Sequence, residues 1–88
     1  MNRAISALRR KGARRVLLFG SFADDPERAR DVDLAVEGIP LTALVEAEVA
    51  VADILNVPTD MVSREENPEF FRIVAKRGKT LYQEGKAG

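Results

Sequence analysis

An α/β domain with a small mixed sheet flanked by helices is the fold class this sequence predicts, and three observations predict it. Short apolar runs of strand length alternate with longer segments of helical period, in the order α-β-(α)-β-α-β-α-(β). Glycine, proline and asparagine stand between those segments rather than within them. The 88 residues have room for one domain, and 45% hydrophobic with 32% charged residues suits a soluble globular chain rather than a disordered tail or a membrane span.

Each element has its own warrant. Residues 2–11 place Ala4, Ile5 and Leu8 on one helical face, with Arg9, Arg10 and Lys11 in the last turn, where the helix dipole favours cations, and Gly12 as the stop. Val16-Leu17-Leu18-Phe19 is a continuous apolar run of buried-strand type that ends in the tight turn Gly20-Ser21. Phe22-Ala23 begins a candidate short helix, and Asp24-Asp25-Pro26 is a turn signal before a polar stretch to Arg30. Residues 31–36, Asp-Val-Asp-Leu-Ala-Val, alternate and then become apolar, as a strand does whose first part faces something polar; Gly38 and Pro40 close it.

Residues 41–55 carry the clearest helical stripe, Leu41, Leu44, Ala47, Val51, Ile54 and Leu55. A second apolar set, Val45, Val49 and Ala52, widens that face, so the helix is expected either to be central or to dock in part on another chain. Asn56-Val57-Pro58 ends it, and residues 59–63 form a third strand with Asp60 inside it. Asn67, Pro68 and Glu69 are helix-start signals; Phe70, Phe71, Ile73 and Val74 are expected to supply that helix's buried face, Gly78 to end it, and Thr80-Leu81-Tyr82 to add a fourth strand. The domain is expected over residues 1–82, with 83–88 a tail.

Absent residue types narrow the chemistry. Without cysteine there is no disulfide, thiolate nucleophile or Cys-based zinc site. Without histidine there is no Ser-His-Asp triad, His-ligated metal or imidazole base. Carboxylates, hydroxyls, Lys and Arg, backbone groups and a hard cation such as Mg²⁺ remain. The formal net charge is zero, which does not indicate nucleic acid, yet Arg3, Arg9, Arg10, Lys11, Arg14 and Arg15 form a run with no acid among them. No apolar run of signal-peptide or membrane-helix length follows the first residues, so a cytoplasmic location and no membrane contact are expected.

Three features then stand together. Side chains at i and i+2 of a strand share a face, so Asp31 and Asp33 project together, away from Val32 and Leu34. Two like charges that close raise a carboxyl pKa unless a cation neutralises them. A glycine after a buried strand, as in Gly20-Ser21, lets a phosphate approach the backbone. Asp60 lies on another strand. An isolated Asp-x-Asp or Gly-Ser is an ordinary strand start or turn. The combination Leu-Leu-Phe-Gly-Ser, a short gap, Asp-Val-Asp-Leu-Ala-Val and a later strand acid resembles the DNA polymerase beta-like nucleotidyltransferase superfamily, and within it the minimal nucleotidyltransferases. The ending, a helix followed by Gly78 and Leu81-Tyr82, is similar to that family's too.

The resemblance implies a nucleotidyltransferase fold and a role for each matching residue. Gly20 and Ser21, with Arg30 beside the loop, would bind a nucleoside triphosphate, ATP being the expected one. Asp31 and Asp33 would hold two Mg²⁺ ions, and Asp60 would join them as third ligand or as base for the acceptor hydroxyl. The three aspartates are thus both the implied catalytic set and the implied metal set. The implied reaction moves a nucleoside monophosphate onto an acceptor hydroxyl of a protein or nucleic acid. The chain has no second domain for the acceptor, so a partner or a homo-oligomer is expected. Small members of the family pair with a helical HEPN-type protein as antitoxin to its toxin. Two departures stand out. Asp24 and Asp25 replace the Arg-Gly of many relatives, and Arg30 replaces a common serine. Acids near a triphosphate oppose it by ~1 kcal/mol for unit charges about 4 Å apart in water, and Arg28 and Arg30 offset them. The alternative reading is therefore a catalytically weak or inactive protein-binding module of the same fold.

Overall fold

The computed structural model describes residues 1–20, 25, 27 and 30–85. The chain runs α1 (Asn2–Arg10), β1 (Arg15–Phe19), β2 (Val32–Glu37), α2 (Leu41–Leu55), β3 (Thr59–Ser63), α3 (Pro68–Arg77) and β4 (Lys79–Gln83). The expected short helix at Phe22-Ala23 lies outside the described residues. Strand β2 begins at Val32, one residue later than the sequence reading, so Asp31 stands just before it. Asn67 takes the N-cap position of α3 with Pro68 in its first turn, but makes no side-chain capping bond.

The four strands form one mixed sheet in the order β3-β2-β1-β4. Strand β1 is antiparallel to both β2 and β4, while β2 and β3 are parallel and joined through α2. A parallel pair needs such a crossover, and the helical period of 41–55 supplies it. Asn56 ends α2 in the left-handed region, where asparagine is tolerated better than most residues.

Alternation along the strands sends two sets of side chains to opposite faces. Val16, Leu18, Val32, Leu34, Val36 and Met61 face α1 and α2 and pack with Ala4, Leu8, Ala47 and Val51 in the main core. Leu17 and Ala35 face α3 and pack with Phe71 and Val74, with Phe19 and Val62 at the margin. Strand β3 is an edge, and Glu48 of α2 covers part of it by accepting the Met61 N–H at 2.9 Å.

Two expectations are corrected. Leu41 is 52% exposed rather than part of the buried stripe of α2, and with Val45 and Val49 it forms an outward row spaced four residues apart. On α3 only Phe71 and Val74 are buried, whereas Phe70 and Ile73 are 42% and 54% exposed. A single helix on a sheet buries one stripe, and Phe71 and Val74, three apart, occupy it. The basic run of α1 and β1 is largely engaged within the fold. Lys11 pairs with Glu46 at 2.9 Å, Arg9 lies 4.6 Å from the Tyr82 ring centroid, and Arg14 and Arg15 meet Glu37 at 3.7 and 3.3 Å. Among the described residues no helix is long and apolar enough to cross a membrane.

Candidate active site at one end of the sheet

The α3 side of the sheet carries three cross-strand rows. At one end Arg15 is in register with Glu37. In the middle Leu17 faces Ala35, and Ala35 faces Val62. At the other end Phe19 faces Asp33, and Asp33 faces Asp60. Neighbouring strands lie about 4.8 Å apart, so each row is a line of adjacent side chains. Helix α3 rests on the middle row through Phe71 and Val74, which leaves the aspartate row at the margin of the sheet.

The site residues read from the sequence fall as follows. Asp33 is half-buried in β2, Asp31 is half-buried just before that strand, and Asp60 is exposed on β3. Val32 and Leu34 are buried on the opposite face, as the alternation of 31–36 requires. Gly20 follows β1 with φ 76°, a left-handed conformation that costs glycine little, and a Cβ there would collide with the Asp33 carboxylate. Arg30 is exposed in the bend before Asp31. Ser21 lies outside the described residues.

Electrostatics set Asp33 apart. Burial pushes its carboxyl above the usual carboxylate range, and the nearby charges of Asp31 and Asp60 push it in the same direction. Among the described residues, no three His, Cys, Asp or Glu side chains stand close enough to hold a metal ion as they lie. The donor set nevertheless suits a hard divalent cation. Asp31, Asp33 and Asp60 offer carboxylate oxygens alone, and the repulsion felt at Asp33 is what such a cation would relieve.

No protein-family model matches the chain, and no curated protein matches it. Solved structures do. One is a toxin–antitoxin with AMP-PNP, 24% identical with TM-score 0.79, the match covering 96% of this chain and 73% of the other. Another is the toxin–antitoxin MntA–HepT, 24% identical with TM-score 0.72, covering 93% and 68%. A third is the tri-AMPylated Shewanella oneidensis HEPN toxin in complex with MNT antitoxin, 26% identical with TM-score 0.71, again covering 93% and 68%. The chain has the nucleotidyltransferase fold of the MNT antitoxins. The mixed sheet and the split of its helices between two faces belong to that fold.

Within this nucleotidyltransferase fold, sequence reasoning missed one neighbour of the aspartate row. A pocket of about 210 Å³ lies beside it, lined by Phe19, Gly20, Phe70, Ile73, Val74, Arg77 and Gly78. Phe19 and Phe70 meet edge to face with centroids 5.5 Å apart. The signal was present in the helical period. Phe70, Ile73 and Arg77 are spaced i, i+3, i+7 and share a stripe next to the one that Phe71 and Val74 bury.

Proposed function

We propose that the protein transfers a nucleoside monophosphate from a nucleoside triphosphate to a hydroxyl of a HEPN-type partner, and so serves as the antitoxin of a toxin–antitoxin pair. The observation that carries this reading is the row Phe19–Asp33–Asp60, with the glycine of the Gly-Ser turn against Asp33. The AMP-PNP in one structural neighbour supports ATP as the nucleotide, and the AMPylated HEPN toxin in another supports a protein acceptor.

In this reading Gly20, Ser21 and Arg30 hold the triphosphate. Asp31, Asp33 and Asp60 would hold two Mg²⁺ ions, whose charge would stabilise the transferring nucleotidyl group and favour the ionised acceptor. The acceptor oxygen attacks the α-phosphorus, the bond from that phosphorus to the bridging oxygen breaks, and pyrophosphate leaves with the electron pair. The acceptor proton passes to Asp60 or to solvent. Positioning and charge stabilisation do most of the work in such transfers, so few functional groups are needed.

Calorimetry tests the reading. Mg²⁺-dependent ATP binding is expected for the wild type and is expected to vanish in the double variant Asp31→Asn/Asp33→Asn. Equal binding by both proteins, or by neither, overturns it. A second reading, a protein-binding module without catalysis, is favoured by one observation, the outward apolar row Leu41, Val45 and Val49. Label transfer from α-³²P-ATP to a co-expressed HEPN-type protein separates the two. Complex formation with Mg²⁺-ATP bound and no transferred label would select the module.

A further inference from the structure

Resting on that reading, we infer that the pocket between the end of β1 and the outer stripe of α3 is the subsite for the nucleotide's base, with Phe70 as its principal stacking residue. The pocket adjoins the aspartate row at Gly20, which belongs to its lining and whose missing Cβ would meet the Asp33 carboxylate. Phe19 lies in its wall and is the strand neighbour of Asp33. Strands are about 4.8 Å apart, so a nucleotide with its α-phosphate over Asp33 has its base within reach of the Phe19–Phe70 pair.

The chemistry of the lining matches a flat heteroaromatic ring. Phe70 and Ile73 offer exposed apolar surface, and Arg77 is the one cation among the described lining residues. Aromatic rings stack on any base, and a guanidinium both stacks on bases and donates to their ring acceptors. Gly78 is glycine because of packing within the fold. A Cβ there would press on the backbone oxygens of Leu18 and Val74, at 2.7 and 3.0 Å. Phe70 belongs to neither buried cluster, so its exposed ring is not needed for the core.

The test compares Mg²⁺-dependent binding of ATP with that of inorganic triphosphate, which has the phosphates and no base. Wild type is expected to bind ATP more tightly than triphosphate. Phe70→Ala is expected to weaken ATP about tenfold, equivalent to about 1.4 kcal/mol, while leaving triphosphate unchanged. Phe70→Trp is expected to keep the ATP affinity, and thermal melts of both variants verify that the fold is intact. Loss of ATP and triphosphate affinity in equal measure overturns the assignment, as does unchanged ATP affinity in Phe70→Ala. If that variant keeps ATP and instead loses a co-expressed HEPN-type protein, the pocket belongs to the partner and the inference fails. The proposed function fails separately. In that case wild type binds neither ligand with Mg²⁺, or Asp31→Asn/Asp33→Asn retains both.

Discussion

Asp33 is held in a position that works against the free fold. Its carboxyl sits higher than usual because it is partly buried and because Asp31 and Asp60 are negative neighbours. A group whose pKa is raised on folding binds protons more tightly in the folded state, so the stability it contributes is fully present below the ordinary carboxylate range. That stability is lost as pH rises through the raised value. At neutral pH in the presence of a chelator, Asp33→Asn is therefore expected to melt at a higher temperature than wild type. The difference should close at acid pH, where the carboxyl is protonated in both states, and calorimetric scans across pH read it directly. Greater stability from loss of a candidate catalytic group is the usual mark of a site kept for function. Gly20 gives the opposite sign. Gly20→Ala places a Cβ in a left-handed conformation and against the Asp33 carboxylate, and is expected to cost about 1–2 kcal/mol by urea midpoint. The sequence showed both residues, since a glycine after a buried strand and alternating aspartates are local patterns. The contact between them was not legible, because it depends on the antiparallel pairing of β1 with β2.

At the scale of elements, α3 is a helix with two uses. Its buried stripe closes the second core, so Phe71→Ala is expected to destabilise the fold by about 3–5 kcal/mol, enough to unfold a large share of so small a domain. Ile73→Ser, on the outer stripe, is expected to stay within about 0.5 kcal/mol of wild type by the same denaturation measurement. The helix bounds themselves were readable from Pro68 and Gly78, and those of α2 from Leu41 and Asn56. Which apolar residues each helix buries was not readable. By period alone Phe70, Phe71, Ile73 and Val74 make one buried face and Leu41 joins the core stripe of α2, whereas Phe70, Ile73 and Leu41 are exposed. Both mistakes have one cause. Periodicity fixes which residues share a stripe, but only the breadth of the surface below decides how many stripes are covered.

The whole molecule orders its charge by rows. Glu37 gathers Arg14, Arg15 and Arg64 at 3.7, 3.3 and 3.9 Å, and the Arg15 guanidinium also lies 4.8 Å from the Phe71 ring centroid. One carboxylate answering three guanidiniums suggests a direct check. Glu37→Gln is expected to lower stability by about 1–2 kcal/mol, and the loss should shrink at high salt, where the repulsion among the arginines is screened. An equal loss at low and high salt would mean that packing, not charge, is at stake. This row stands at the opposite end of the same strands from Asp33 and Asp60. Neither end carries one sign alone, for Glu65 and Glu84 stand by the Glu37 end and Arg77 and Lys79 by the aspartate end. An approaching partner therefore meets local pairings rather than a directed long-range pull, and its orientation is settled on contact.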